Sequence, residues 1–240
     1  LFTDIVIAQA IYRRFHRHVD DAMLDRCAAE CGCAPIGRMC LLDDAATAEI
    51  AERCAIRSAA RVLDLGCGRG FLGRWLASNG FPAQYAGVDR DAGATQASRR
   101  HVPGATITQG DFRAMRWQSS YQAVVGIEIA IDGAIDDPLL DSAASAPAPD
   151  GRLVFTIASL DGNHASRLRA LDSAAAQRFA KVEIENWTDR VRPFTQRMFE
   201  WWLRAAWPPE IEPKVTEEAR AVLEALAQNR FHYAVLFARA

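Results

Sequence analysis

Lysine is nearly missing from this chain: Lys181 and Lys214 are the only two among 28 Lys and Arg residues, and 30 Asp and Glu residues leave a formal net charge of −2. A dedicated nucleic-acid binder carries a clear basic excess, so that class is disfavoured. With the many alanines, the preference for arginine reads as compositional bias. No apolar run approaches the length of a bilayer span, which argues against a membrane protein. Six cysteines are present, Cys27, Cys31, Cys33, Cys40, Cys54 and Cys67, but none forms a C-x-x-C pair and no His follows at zinc-finger spacing. They are expected to pack as small apolar side chains rather than hold a metal or cluster, and disulfides are not expected in a reducing compartment. The apolar opening is interrupted by Asp4 and lacks a basic segment before it, so a secretory signal is not expected, and a cytoplasmic location is. The chain starts at Leu1 rather than Met, which suggests that an N-terminal piece precedes it.

What is there is an alternating chain. Half of the 240 residues are apolar, enough for a substantial core with or without a cap. Residues 3–60 read as helical, with apolar positions at Ile7, Ala10, Ile11 and Phe15 and again at Ala45, Ala48, Ile50 and Ala51, broken at Pro35 and Gly37. Strands are then expected at about 61–65, 84–88, 105–108, 121–127 and 152–158, and helices at about 71–79, 91–100 and 136–145. Such alternation predicts an α/β fold, a doubly wound, mostly parallel sheet. Residues 179–188 and 230–239 alternate in the manner of two more strands, an antiparallel pair closing a seven-stranded sheet. The stretch between them, 190–229, is too long for a hairpin loop and carries helical patterns at 194–206 and 214–228. The expected organisation is therefore a helical N-terminal lid at 1–60, a core at 61–189 and 230–240, and a helical cap at 190–229.

One segment carries most of the chemistry. Arg61-Val62-Leu63-Asp64-Leu65-Gly66-Cys67-Gly68-Arg69-Gly70 reads as strand, glycine-rich turn and start of a helix continued by Phe71, Leu72, Trp75 and Leu76. Glycines let a ligand approach bare backbone, and the helix start offers free N–H groups. Asp89 ends the second strand, where a carboxylate suits two ribose hydroxyls. Gly110-Asp111-Phe112 follows the third strand, an acid and a flat apolar ring suited to adenine. Glu128 ends the fourth strand beside the expected crevice.

Together these features resemble the class I S-adenosylmethionine-dependent methyltransferases of the small-molecule type, over about residues 60–160. The resemblance implies a Rossmann-like methyltransferase fold with S-adenosylmethionine as cofactor and S-adenosylhomocysteine as product. It implies that Asp64 holds the methionine ammonium, directly or through water, with the loop of Gly66, Cys67, Gly68 and Gly70. Asp89 takes the ribose hydroxyls with Arg90 beside it, Asp111 the adenine amine, and Phe112 packs near the ring. Glu128 and Ile129 line the crevice next to the sulfonium. The opening from Phe2 to Tyr12 is similar to the N-terminal helix of such enzymes, whose tyrosine lies over the methyl group; Tyr12 as a core aromatic remains equally open.

Two alternatives stand beside this reading. Gly68, Gly70 and Gly73 match the dinucleotide fingerprint, but counted from Gly66 the third glycine position is Phe71, and a pyrophosphate disfavours the charge of Asp64. No Tyr-x-x-x-Lys pair supports a nicotinamide oxidoreductase. The other alternative is a non-catalytic nucleoside-binding protein of the same fold. On the methyltransferase reading the partner is a small molecule, with no nucleic acid and no membrane; the Asn/Asp-Pro-Pro-aromatic signature of some amino methyltransferases is absent after the fourth strand, where Gly126-Ile127-Glu128-Ile129 stands.

Phe194, Met198, Phe199, Trp201 and Trp202 have helical spacing and either wall a pocket or hold the cap on the core; Met198 and Trp201, with Tyr12, are the candidate substrate contacts. The segment Glu185–Val191 is similar to that of methyltransferases of small amines, sterols and other metabolites. If a proton must leave the acceptor, Glu128, His164 and Tyr12 are candidates to take it. His16-Arg17-His18 with Asp20, and the run Arg13-Arg14…Arg17, read as solvated helix faces rather than a metal or anion site, and no metal is expected. The accepting atom and the oligomeric state are not legible in the sequence.

Overall fold

A computed structural model describes residues 18–56, 60–81, 83–118, 120–131, 135–160 and 164–240. Among the described residues, α1 (Asp21–Glu30) and α2 (Asp44–Arg53) precede the sheet, joined by irregular chain at 31–43. The alternating part follows as β1 (Arg61–Leu65), α3 (Phe71–Ser78), β2 (Gln84–Asp89), α4 (Ala92–His101), β3 (Thr106–Gln109), β4 (Tyr121–Ile131), α5 (Asp137–Ala144), β5 (Pro147–Ser159), α6 (His164–Ala176) and β6 (Lys181–Asn186). Then come α7 (Thr188–Arg204), α8 (Glu212–Ala227) and β7 (His232–Arg239). Aspartate sets several helix starts: the side chains of Asp20, Asp43, Asp91 and Asp136 each accept an N–H from the first turn of α1, α2, α4 and α5.

The seven strands form one sheet in the order β3-β2-β1-β4-β5-β7-β6. Strands β1 to β5 pair in parallel, and β7 runs antiparallel between β5 and β6. This is the expected α/β fold, including the closing antiparallel pair. Successive strand residues feed opposite sides of the sheet, as the two-residue period requires. Val62, Val125, Val154 and Val235 join one core with α1, α2, α3, α7 and α8, while Leu63, Val124, Phe155 and Leu236 join another with α5 and α6. Burial on both faces explains why these strands read as continuous apolar runs. The chain order reverses between β1 and β4, and that is where an open α/β sheet leaves a crevice beyond its strand ends.

The differences from the sequence reading are local. Helix α6 was not foreseen; it buries only Leu171 and Ala175, too few residues to write a helical period. Helix α7 starts before the expected 194 because it runs through Pro193. Its buried stripe of Val191, Phe194, Thr195, Met198, Phe199 and Trp202 outweighs the one backbone bond that a proline removes. Strand β4 runs on to Ile131 through a register shift between Gly126 and Ala130. The apolar positions Ile7 to Phe15, with Tyr12, lie outside the described residues, as do Arg13, Arg14, His16 and Arg17.

Candidate active site

The loop after β1 is built by alternation. Gly66, Gly68 and Gly70 have φ of +74°, +50° and +84°. Gly66 and Gly68 are half-buried, whereas Cys67 and Arg69 between them are buried, so bare backbone alternates with side chains turned into the protein. The N–H groups of Gly66 and Cys67 both donate to Val88 O, at 2.8 and 3.0 Å, which ties the loop to the end of β2. A Cβ on Gly66 would lie 2.6 Å from Ile129 Cγ2 and 3.9 Å from Phe112 Cε1. The tips of β1, β3 and β4 therefore meet at that glycine. Gly70 occupies the N-cap of α3 and so contributes no side-chain cap. From outside, Arg69 Nη2 donates to Asp21 Oδ1 at 2.6 Å, and His101 bridges Asp21 Oδ2 at 2.7 Å and Arg69 O at 3.0 Å. Burial raises the Asp21 carboxyl, but Arg69 and His101 overcome it and hold it below its ordinary value.

Asp89 is 4% exposed, with Oδ2 accepting the Gly68 N–H at 3.0 Å and Oδ1 the Asp91 N–H at 2.8 Å. Burial raises this carboxyl, against the pull of those two N–H groups. Arg90 beside it is exposed. The Gly110 N–H donates to Asp89 O at 3.0 Å, so the third tip is tied to the second. Asp111 is exposed and caps the 3-10 turn Phe112–Ala114 through Arg113 N–H at 3.0 Å; Phe112 is half-buried.

Asp64 lies deeper than a direct ligand contact requires. It is 4% exposed and accepts the Tyr85 hydroxyl at 2.5 Å. Burial pushes it up to about 7; the Tyr85 bond opposes the shift and the charge of Asp89 adds to it. The Cys67 side chain packs near Gly87 of β2, leaving the backbone as its part in the loop wall.

Glu128 has φ +54°, a left-handed conformation that a non-glycine residue adopts only at a cost. It sits in the register shift of β4, which re-aims side chains at the strand end. Its N–H donates to Thr156 Oγ1 at 2.8 Å, and its Oε1 accepts the Leu41 N–H at 2.6 Å and the Tyr233 hydroxyl at 3.1 Å. Burial pushes this carboxyl up to about 7 against the Leu41, Tyr233 and Arg38 contributions, with Glu218 adding to the rise. Arg38 is 3% exposed, bonded to Leu42 O and Asp44, and stacked 4.5 Å from the Phe71 ring centroid. It fastens the 31–43 segment to the start of α3.

The strand-tip residues expected from the sequence thus come together. The aromatic stripe of α7 lies in the core: Phe194, Met198, Phe199, Trp201 and Trp202 are all buried, with Trp202 and Trp207 rings 5.4 Å apart. His164 stacks on His232 at 4.8 Å. Asp20 caps α1. All six cysteines are buried and free, and among the described residues no group of three His, Cys, Asp or Glu could hold a metal ion. Tyr85, Leu41, Tyr233 and Arg38 are not among the site residues that the sequence points to. Tyr85 had one weak signal, a polar-tipped aromatic on the strand next to Asp64; the rest are brought in by long-range packing.

Residues 62–151 match the family model described as a methyltransferase domain. This segment is a methyltransferase domain of the class I fold. In sequence, the chain is similar to the ribosomal RNA small subunit methyltransferase C of Chromohalobacter salexigens, 39% identical over 108 residues, which is 40% of this chain and 30% of that protein. In structure, it is similar to a Haemonchus contortus phosphoethanolamine N-methyltransferase 2 bound to phosphomonomethylethanolamine and S-adenosylhomocysteine, with TM-score 0.68 and 18% identity over 80% of this chain and 52% of that one. It is also similar to the [4+2]-cyclase SpnF, with TM-score 0.63 and 17% identity over 82% of this chain and 80% of that one. The methyltransferase domain's chain thus spans under a third of the ribosomal RNA enzyme and about half of the phosphoethanolamine enzyme. Among the described residues of the methyltransferase domain and its flanks, no helix is long and apolar enough to cross a membrane.

Proposed function

We propose that this chain is an S-adenosylmethionine-dependent methyltransferase acting on a small molecule. The observation that carries the reading is the convergence of the β1, β2, β3 and β4 tips on one cradle, with bare backbone at Gly66 and Gly68 and a buried carboxylate at Asp89. These residues fit the cofactor. The half-buried glycines admit a ligand against the main chain. Asp89, oriented by two N–H groups, is an acceptor for ribose hydroxyls, and Asp111 with Phe112 offers an acid and a ring face to an adenine. Asp64 acts from beneath the loop, its carboxylate shared with Tyr85. Ile129 and Glu128 form the wall on the β4 side.

When bound, the cofactor supplies an activated methyl group for one-step displacement. The protein's part is alignment and exclusion of water. Arg38, bound to the start of α2 and stacked on Phe71 of α3, together with the Glu128–Leu41 bond, keeps the 31–43 segment against the crevice. We assign 1–60 the role of a lid and 190–229 that of a cap. A cytoplasmic setting agrees with six free cysteines.

The net charge of −2 and the small-molecule ligand of the phosphoethanolamine enzyme favour a small acceptor over RNA. A second reading has a specific observation behind it: a cyclase shares the fold, so the fold alone does not fix the reaction. Incubation with methyl-labelled S-adenosylmethionine and a broad metabolite panel separates the two. Methyl transfer to a small acceptor is expected; cofactor binding without transfer to any acceptor would move the chain to the second reading.

A further inference from the structure

Three cations stand in one row across the sheet, at the end away from the cofactor cradle. Arg152 of β5 pairs directly with Arg239 of β7, and Arg239 pairs directly with Lys181 of β6. Directly opposed strand residues share a face, with Cβ atoms about 4.5–5.5 Å apart, so like charges there repel. Lys181 alone on the edge strand would be an ordinary guard against edge pairing. Strands β5 and β7 are each paired on both sides, so that account does not reach Arg152 or Arg239. Pairing with Ala123, near the start of β4, places Arg152 toward the amino ends of the parallel strands. The cradle lies beyond their carboxyl ends.

The row borders a cavity of about 260 Å³. That is below the ~300–1,000 Å³ of sites for drug-sized ligands and suits a small anion. Phe237 and Arg53, the last residue of α2, also line it, with the Arg53 guanidinium 3.5 Å from the Phe237 ring centroid. Arg53 Nη2 lies 3.1 Å from Glu183 Oε2, and its Nη1 bonds Glu185, so Arg53 is neutralised and serves as a wall. Asp150 takes one side of Arg239, at 3.3 Å. Arg152 Nη1 donates to Arg53 O, a neutral carbonyl. Among the described residues, neither Arg152 nor Lys181 has an ion-pair partner. The neighbouring carboxylates are therefore committed, and the row keeps an excess of positive charge. A phosphate group answers it better than a carboxylate: it brings up to two charges and three acceptor oxygens, and Arg and Lys side chains both bind it.

We propose that Arg152, Arg239 and Lys181 form a binding site for a phosphate group, carried by a phosphorylated small molecule or present as free phosphate or diphosphate. The site is separate from the cofactor cradle and stands whether or not the chain transfers a methyl group. The test is thermal unfolding and calorimetry of the full chain in phosphate-free buffer. The probes are inorganic phosphate, pyrophosphate and glycerol 3-phosphate, against sodium chloride and sodium acetate at matched ionic strength. A ligand that binds only the folded chain raises its melting temperature. The phosphate probes are expected to raise it saturably and beyond chloride or acetate. Tighter binding of glycerol 3-phosphate than of inorganic phosphate identifies a phosphorylated molecule as the ligand; the reverse identifies the free ion. Lys181→Gln with Arg239→Gln is expected to weaken binding by roughly 10- to 100-fold, leaving S-adenosylhomocysteine affinity at the wild-type value. Without added anion, Lys181→Gln alone is expected to keep or raise the melting temperature, because it removes one like charge from the row. No response beyond chloride, or a response that the paired substitution leaves intact, overturns the proposal.

Discussion

The two walls of the crevice are assembled from different distances along the chain. On the cofactor side, Gly66, Asp89 and Asp111 stand at the tips of consecutive strands, and backbone bonds tie each tip to the next, Gly66 to Val88 and Gly110 to Asp89. On the other side, Glu128 joins Leu41 from the N-terminal segment and Tyr233 from the last strand. The first wall is a local product of β-turn-α units and remains tied together through main-chain bonds. The second exists only once the whole chain has folded. A fold can therefore keep its cofactor cradle while changing what it acts on.

The comparison breaks most visibly through packing. Trp201→Ala is expected to destabilise the fold by about 3–5 kcal/mol in urea unfolding, because the indole is buried against Trp207. A loss well below 1 kcal/mol would return Trp201 to the pocket-lining role. Next comes Gly66→Ala, which puts a Cβ against Ile129 at a positive φ. A destabilisation of about 1–3 kcal/mol is expected, together with loss of measurable S-adenosylhomocysteine binding in calorimetry. Asp89→Ala is expected to weaken that binding by about 1–3 kcal/mol; unchanged affinity would remove the ribose assignment.

The smallest effect is on pH dependence. Burial pushes Asp64 and Glu128 up to about 7. Between roughly pH 4 and pH 7 the folded state then holds more protons than the unfolded chain, so stability falls as pH rises through that window. Melting temperatures measured across it should decline, and Asp64→Asn should flatten part of the decline. An identical slope in the variant would show that Asp64 ionises as an ordinary carboxyl.

The same contrast explains what the sequence made legible. The sheet could be read because its central strands are apolar on both faces and its turns are marked by glycine and aspartate. The glycine loop, Asp89 and Asp111 could be read because each follows its own strand directly. The roles of Tyr85 and Tyr233 could not, since Asp64 and Glu128 find them only through strand pairing and the β7 insertion. Helix α6 was silent because it buries so little. The stripe on α7 was visible, but spacing alone does not separate a pocket wall from a core, and the structure places those residues in the core.

The most direct test of the central claim, that four strand tips form one adenosyl cradle, is a calorimetric titration of the unmodified chain with S-adenosylhomocysteine and, separately, with NADH. The account predicts saturable binding of S-adenosylhomocysteine at micromolar concentrations and no heat from NADH. Binding of NADH alone, or of neither, would contradict it.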